Sequence, residues 1–320
     1  MSVKSLLHPA FVRRSAQVLA ILILLGGTLA QTTLPAQAAP MRATIGVTTF
    51  LDEYDTVGSG TGCSLREAIR AANTDTAFGG CPAGSGADVI TLPAGTYTLT
   101  IANGAPNGWG GTNEDNDAAG DLDIRSNLII TGAGSGSTII QAGTDATNGI
   151  DKVFGINPTC IANISVTIQN VTIRYGRNTQ PYYTGAGADY GFTGGGLDYC
   201  SATSGNLTLD GVVVTENNNV NGYGGGLNVD TISAYVGTIT ISNSTFSNNH
   251  TLSTTNPAHG AGIRILGNSP TVVISGSSFT GNTTATTGTA SGGAISFAPR
   301  TGGTLSITGT TIAGNSAAYN

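Results

Sequence analysis

Two acidic residues, Asp198 and Asp230, closely follow the same leucine position in two successive sequence repeats. Asp198 follows Leu197 by one residue, and Asp230 follows Leu227 by three. Equivalent positions of adjacent repeats lie side by side in a repeat protein, so we expect the two carboxylates to be neighbours. Such a pair could act as an acid and a base, or bind Ca²⁺. The other charged residues expected to project from the repeats are Lys152, Arg174, Arg177, Asp189, Asp210, Glu216, Arg264 and Arg300.

An acidic segment nearer the N-terminus is the second candidate for cation binding. Its carboxylates and amides are of the oxygen-rich kind that Ca²⁺ prefers, although their spacing differs from that of an EF-hand. A solvated surface loop is the alternative interpretation of such a run of charge. We assign no catalytic residue and expect no cofactor. Ca²⁺ is the one candidate ligand, and the residues that could bind it are Glu114, Asp115, Asp117, Asp121 and Asp123.

The repeats that must position these residues occur four times. Each contains a glycine cluster, an aliphatic residue, an alternating strand, a tight turn, a second short strand and an asparagine. The period is about 33 residues, which indicates an array of stacked units rather than a globular core. The four copies are residues 194–217, 224–249, 260–282 and 292–315.

Within each copy the apolar residues alternate with Thr and Ser, as in Leu207-Thr208-Leu209. This period of two predicts strands with one buried face, and no repeat shows helical periodicity. About three short strands per coil, stacked on the strands of the next coil, form a parallel β-helix. The inward side chains are expected to be Leu207, Leu209, Val214, Ile239, Ile241, Phe246, Val272, Ile274, Phe279, Leu305, Ile307 and Ile312.

One asparagine per copy falls three residues after the apolar residue of the second strand. Stacked asparagines can hydrogen-bond along a column, and they tolerate the left-handed backbone of a tight corner. We therefore interpret them as structural residues, namely Asn217, Asn249, Asn282 and Asn315.

The N-terminus has the form of a secretory signal. Basic residues precede an apolar run from Val18 to Leu29, and Ala36-Gln37-Ala38 fits a cleavage site. We expect a signal peptide over residues 1–38, secretion or cell-surface location, and no membrane span after cleavage. Only 9% of residues are charged and the net charge is −6, which argues against nucleic-acid binding.

Four cysteines follow the predicted signal. Export permits disulfides, and nothing resembles a zinc site. Cys63 and Cys81 flank one short helical segment, whereas Cys160 and Cys200 lie eight and nine residues before Ile168 and Leu209. The second pair therefore occupies nearly equivalent corners of adjacent coils. We predict the bonds Cys63–Cys81 and Cys160–Cys200.

A short amphipathic helix is predicted at about residues 64–73. Ser64 and Glu67 have the spacing of a capping box, and apolar residues then form one stripe with Arg66 and Arg70 opposite. Laid across the end of the β-helix, such a helix would cover its apolar core and its strand edges. We assign residues 39–85 to this cap and residues 86–320 to the β-helix, with regular coils from about residue 194.

The segment Cys63-Ser64-Leu65-Arg66-Glu67-Ala68 resembles the CSLREA N-terminal domain of exported bacterial proteins, and the resemblance extends over about residues 45 to 156. The repeats are similar to those of polymorphic outer-membrane proteins, with Gly292-Gly293-Ala294-Ile295 and Phe246 to Asn249 as close matches. The resemblance implies a right-handed parallel β-helix that is exported and surface-exposed. It implies no defined enzymatic activity.

The sequence therefore predicts a structural or adhesin-like binding protein that acts through its lateral surface. The expected partners are surface glycans or proteins of a host or neighbouring cell. The alternative is a β-helix enzyme that binds or cleaves a polysaccharide, which requires several carboxylates and a basic residue to converge on one lateral face. Because the pattern stops where the next glycine cluster would begin, we also expect that the chain continues past Asn320 or that another protein or a second copy covers that end.

Overall fold

The computed structural model describes residues 42–103, 115–179, 194–220, 222–253 and 257–319. The predicted signal peptide, Glu114 and Asp189 lie outside these residues. The part of the chain before the regular repeats contributes one helix and ten strands. They are β1 (Thr44–Gly46), α1 (Leu65–Thr74), β2 (Asp88–Leu92), β3 (Gly95–Thr98), β4 (Leu122–Ile124), β5 (Leu128–Gly132), β6 (Thr138–Gln141), β7 (Phe154–Ile156), β8 (Val166–Gln169), β9 (Thr172–Arg174) and β10 (Arg177–Asn178).

The regular repeats contribute the remaining strands. They are β11 (Leu197–Ser201), β12 (Leu207–Asp210), β13 (Val213–Thr215), β14 (Asn218–Asn219), β15 (Leu227–Ala234), β16 (Thr238–Ser242), β17 (Thr245–Ser247), β18 (His250–Ser253), β19 (Ala258–His259), β20 (Ile263–Asn268), β21 (Thr271–Ser275), β22 (Ser278–Thr280), β23 (Thr283–Thr286), β24 (Ala290–Ser291), β25 (Ile295–Thr301), β26 (Thr304–Thr308), β27 (Thr311–Ala313) and β28 (Ser316–Tyr319).

Strands at equivalent points of successive coils pair in parallel and form four long sheets. Sheet I runs β1-β2-β5-β8-β12-β16-β21-β26, and sheet II runs β3-β6-β9-β13-β17-β22-β27. Sheet III runs β4-β7-β11-β15-β20-β25, sheet IV runs β10-β14-β18-β23-β28, and β19 pairs with β24. The predicted parallel β-helix is confirmed. Each regular coil also has a fourth strand, in sheet IV. It is formed by the polar segment after the asparagine of each repeat, which lacks the alternation of aliphatic residues that predicts a strand.

The core is built from apolar columns that run along the helix axis. Leu209, Ile241 and Ile274 occupy one register position of sheet I and are fully buried. In sheet II, the Phe246 and Phe279 rings stack with their centroids 5.0 Å apart. Burial of each such side chain contributes about 1.5–3 kcal/mol. In the last described coil, Ile307 and Ile312 keep this register but are 39% and 49% exposed, respectively.

The four asparagines form a hydrogen-bonded ladder beside the core. The Asn217 backbone N–H and Nδ2 both donate to Asn249 Oδ1, at 3.2 and 3.0 Å. Asn249 in turn donates in the same way to Asn282, and Asn282 to Asn315. The predicted left-handed backbone occurs one residue earlier than expected, for example at Asn248 with φ 52°. The ladder asparagine therefore follows the corner and turns its side chain inward.

Both predicted disulfides are present. Cys63 and Cys81 join the start of α1 to the segment after it, with Cα atoms 4.5 Å apart. Cys160 and Cys200 join adjacent coils, with Cα atoms 5.1 Å apart and 40 residues between them in sequence. The described residues contain no further cysteine.

Removal of the inter-coil disulfide tests its contribution to stability. We expect C160A/C200A to lower the free energy of unfolding by about 3 kcal/mol, because the bond closes a long loop in the unfolded chain. Urea denaturation of the oxidised proteins measures this. The matched variant C63A/C81A closes a shorter loop and should lose less. An unchanged urea midpoint in C160A/C200A would contradict the prediction.

Helix α1 begins at the predicted capping box and ends one residue beyond the expected stop. The Ser64 side chain accepts from the Glu67 N–H, and Glu67 Oε2 accepts from the Ser64 N–H at 3.0 Å. The expectation that Arg66 faces away from the packed side is wrong. Its side chain is buried, forms an ion pair with Asp52 at 2.7 Å, and donates to the backbone carbonyl of Gly120 at 2.8 Å. Arg66 thus ties the cap to the segment that leads into β4.

Candidate functional site

One lateral face of the β-helix carries a row of polar side chains, which we call the polar strip. Strands of sheet III alternate, so Leu197 and Tyr199 lie in the core while the residue between them faces outward. The outward residues of consecutive strands are in register and run along the axis. In order, the polar strip consists of Asp123, Gly155, Asp198, Asn228, Arg264 and Ser296.

The predicted pair Asp198 and Asp230 is brought together at the middle of the polar strip. Asn228 Nδ2 donates to Asp198 Oδ1 at 2.8 Å and to Asp230 Oδ2 at 2.9 Å. Arg264 Nη1 lies 3.3 Å from Asp230 Oδ2 and donates to Asn228 Oδ1 at 2.8 Å. Both carboxylates are 5% exposed. One amide thus bridges two carboxylates, and one guanidinium balances part of their charge.

An aromatic column flanks this centre. The Arg264 guanidinium lies 4.3 Å from the Tyr223 ring centroid, and the His259 ring stacks on Tyr223 with centroids 5.6 Å apart. His259 Nδ1 is also within hydrogen-bond distance of Ser291 Oγ. Burial, and secondarily the charge of Arg264, lower the pKa of His259, so the ring is neutral at pH 7. The column fixes the guanidinium and adds polar groups beside the carboxylates.

The N-terminal half of the polar strip meets a buried ion cluster around Lys152. Lys152 is 1% exposed, and its Nζ lies 3.0 Å from Asp121 Oδ2. Burial alone would lower the pKa of Lys152, but the carboxylates of Asp121, Asp151, Asp123 and Asp198 raise it, so the ammonium stays charged. Lys152 therefore links the acidic segment before β4 to the centre at Asp198.

The buried carboxylate of Asp151 predicts an unusual pH dependence of stability. Burial, and secondarily the neighbouring Asp121, raise the pKa of Asp151 to about 7. The folded protein then binds a proton that the unfolded chain releases near pH 4, so this stabilisation is complete below about pH 4 and is lost as the pH rises through 7. We expect the wild type without divalent cations to lose about 2 kcal/mol more than D151N between pH 5 and pH 8. Equal losses in urea denaturation would contradict this.

The acidic segment is not the solvated loop of the alternative interpretation, since three of its carboxylates are buried. Asp117 Oδ1 accepts from the Asp123 N–H at 2.8 Å and its Oδ2 from Asn73 Nδ2 at 2.9 Å. Burial raises the pKa of Asp117 to about 7. Asp121 and Asp123 are also fully buried, whereas Asp115 is half-buried. The structure thus joins Asp121 and Asp123 to Lys152, while Asp117 holds the local backbone.

A second acidic cluster lies within the cap. Glu53, Asp55 and Glu67 each present a carboxylate oxygen, and these oxygens lie within 4.8 Å of one another. The cluster has structural partners: Glu67 Oε1 accepts from the Asp55 N–H at 3.0 Å, and Glu53 Oε2 accepts from the Thr61 N–H at 3.1 Å. These bonds explain the cluster as part of the cap.

Several residues of the site were not predicted as a group. Lys152 was expected to project, which is wrong because its side chain is buried. Arg264 was expected to project as well, and Asn228, Tyr223 and His259 were not singled out. A signal was present, since the slot directly after the aliphatic residue of each glycine cluster holds Asp198, Asn228, Arg264 and Ser296. Asp210 lies elsewhere, on sheet I, where it accepts from Ser242 Oγ at 2.7 Å. Arg174 lies on sheet II, and Glu216 at the ladder corner.

Comparison with known proteins finds one similar solved structure. No family model matches the chain, and no curated protein matches it. One solved structure to which the chain is similar is a pectin methylesterase mutant in complex with a hexasaccharide. The match has 14% sequence identity and a TM-score of 0.27, and it covers 78% of this chain and 67% of that chain. Among the described residues, no helix has the length and apolar character needed to cross a membrane.

Proposed function

We propose that this chain is a secreted or cell-surface β-helix protein that binds a glycan along the polar strip. The observation that carries the proposal is the centre formed by Asp198, Asn228, Asp230 and Arg264 on three consecutive coils. Coils repeat at about 4.8 Å, so an extended polymer can contact several of them at once. A long lateral surface of this kind suits a linear polysaccharide better than a compact ligand.

The chemistry of the centre supports a sugar as the ligand. Carboxylates accept from hydroxyl groups, and a guanidinium donates to hydroxyl and ring oxygens. The Asn228 amide uses both of its N–H groups on the two carboxylates and so holds them in place. Hydrogen bonds to charged groups are the stronger kind. The side chains are held by one another and by the Tyr223 column, so little conformational entropy remains to be lost on binding.

Export has two supports. The two disulfides are typical of proteins that fold in an oxidising compartment. The resemblance to CSLREA proteins and to polymorphic outer-membrane repeats also favours an exported protein. On this proposal, the partners are glycans at a cell surface.

Cleavage of the glycan is the second candidate function. It is favoured by the bridging of Asp198 and Asp230 through one amide, because glycoside hydrolases use two carboxylates on either side of the scissile bond. One carboxyl group would donate a proton to the leaving oxygen and the other would activate water or attack the sugar. Glycan binding requires only the hydrogen-bonding groups of the centre, whereas cleavage also requires both carboxyl groups to take part in the reaction.

A glycan array followed by titration of the best ligand tests binding. We expect R264A to weaken the affinity by about 10- to 100-fold, because it removes a charged hydrogen-bond donor from the centre. R300A, which changes an exposed arginine of β25, should bind like the wild type. Equal affinity in R264A and wild type would overturn the proposed surface.

A reducing-end assay on the bound polysaccharide distinguishes cleavage from binding alone. If the chain cleaves its ligand, D198A and D230N should each abolish product formation while R300A retains it. Binding with no product in the wild type would leave the glycan-binding function and reject the enzymatic one.

A further inference from the structure

Two buried carboxylates at the N-terminal end of the polar strip are only partly supplied with hydrogen-bond donors. Asp121 and Asp123 are fully buried, and Asp121 Oδ1 and both oxygens of Asp123 accept no hydrogen bond from the described residues. The Lys152 ammonium lies beside Asp121 Oδ2, and Asp123 has no such contact in the described residues. Burial of an ionised carboxylate without a partner is strongly unfavourable. Asp123 therefore calls for a ligand that its surroundings do not supply.

Gly155 lies directly beside both carboxylates. It is in register with Asp123 on one side and Asp198 on the other. A Cβ atom at Gly155 would come within 2.6 Å of Asp121 Oδ2 and 2.7 Å of Asp123 Oδ1. One oxygen of each carboxylate and the Lys152 stem therefore lie over the same glycine, and a side chain at that position would collide with them.

The charge around these two carboxylates is unbalanced. Four carboxylates act on the Lys152 ammonium, those of Asp121, Asp123, Asp151 and Asp198. The Arg66 guanidinium is paired with Asp52, and it reaches the acidic segment only through backbone carbonyls. One ammonium does not neutralise the group. Either protons or a further cation must supply the missing positive charge.

We propose that Asp121 and Asp123 bind a hard divalent cation, Ca²⁺, through the carboxylate oxygens that have no donor. The available ligand atoms are all oxygens, and Ca²⁺ accepts irregular oxygen coordination completed by water, whereas Mg²⁺ demands near-octahedral geometry. Asp117 is not a ligand, because both of its oxygens are used for the backbone of Asp123 and for Asn73. The proposal is independent of the proposed glycan binding.

Calorimetric titration of the EDTA-treated full chain with CaCl₂ tests the site. We expect one site with a Kd on the order of 10⁻⁴–10⁻³ M, as in extracellular modules with few charged ligands. A roughly hundredfold excess of Ca²⁺ over the Kd should raise Tm by about 5 °C near pH 7.5. Mg²⁺ should raise it less.

Two variants localise the effect. D123N should abolish the calcium-dependent rise in Tm while melting no lower than the wild type in EDTA, because it removes an unpartnered buried charge. D55N changes the other acidic cluster and should keep the full response. Retention of the response in D123N, its loss in D55N, or no response of the wild type would each overturn the proposal. If the wild type does not respond to Ca²⁺, protons alone balance the negative charge of the buried carboxylates.

Discussion

Replacement of Asn249 by alanine is expected to lower the free energy of unfolding by about 4 kcal/mol. Asn249 is fully buried and stands in the middle of the asparagine ladder. Its Nδ2 donates to the Val214 carbonyl and to Asn282 Oδ1, both at 2.9 Å. Its Oδ1 accepts from the backbone and the side chain of Asn217. Alanine removes these bonds from the Val214 carbonyl and the Asn217 N–H, whereas Asn282 Oδ1 still accepts from the backbone N–H of residue 249 and Asn217 Nδ2 still donates to the Ile173 carbonyl. Each buried group left without its partner costs about 1–3 kcal/mol.

Urea denaturation of N249A measures this loss. The matched control is N206A, which removes an exposed asparagine whose Nδ2 donates to Ser165 Oγ at 3.2 Å and whose Oδ1 accepts from the Thr238 N–H at 2.9 Å. Because water can replace both exposed bonds, N206A should lose less than about 1 kcal/mol. If N249A is no less stable than N206A, the ladder is only a consequence of the fold and does not hold the coils together.

The ladder belongs to the part of the structure that could be predicted from sequence. In the regular coils a residue's place in the repeat fixes its neighbours, because stacking brings equivalent positions together. The same register argument predicted the Cys160–Cys200 bond and placed Asp198 beside Asp230. The repeat position that holds Asn228 and Arg264 could also be identified in the sequence. A single asparagine among many Thr, Ser and Asn residues is not a distinctive signal, however.

The ion cluster could not be predicted in the same way. Lys152 and Asp121 lie in the coils before the regular repeats, where insertions between strands obscure which positions are equivalent. Sequence periodicity shows which face of a strand is buried, but it does not show that a charged outward face is covered as well. The burial of Arg66 could not be predicted for the same reason. Its helix is covered on both faces, whereas the sequence pattern is that of a surface helix with one exposed face.

Replacement of Lys152 by methionine is expected to lower the free energy of unfolding by about 3–5 kcal/mol. Methionine matches the length of the lysine stem, so the change removes chiefly the charge. Lys152 is 1% exposed and its ammonium lies 3.0 Å from Asp121 Oδ2. Loss of one member of a buried ion pair leaves the other as an uncompensated charge, which is the costly outcome. Urea denaturation in EDTA compares K152M with R300M, an exposed charge change that should stay within about 0.5 kcal/mol of the wild type.

The pH dependence of the K152M loss separates electrostatics from packing. Without the ammonium, the folded protein holds protons on its buried carboxylates more tightly than the unfolded chain does, so stability falls as the pH rises. The loss in K152M should therefore be larger at pH 8 than at pH 5, and D121N/K152M should recover part of it because no charge is then left unpaired at that contact. A loss that is equal at both pH values, and is not relieved by D121N, would mean that Lys152 acts through the packing of its aliphatic stem. The ammonium would then not be what joins the acidic segment to the polar strip.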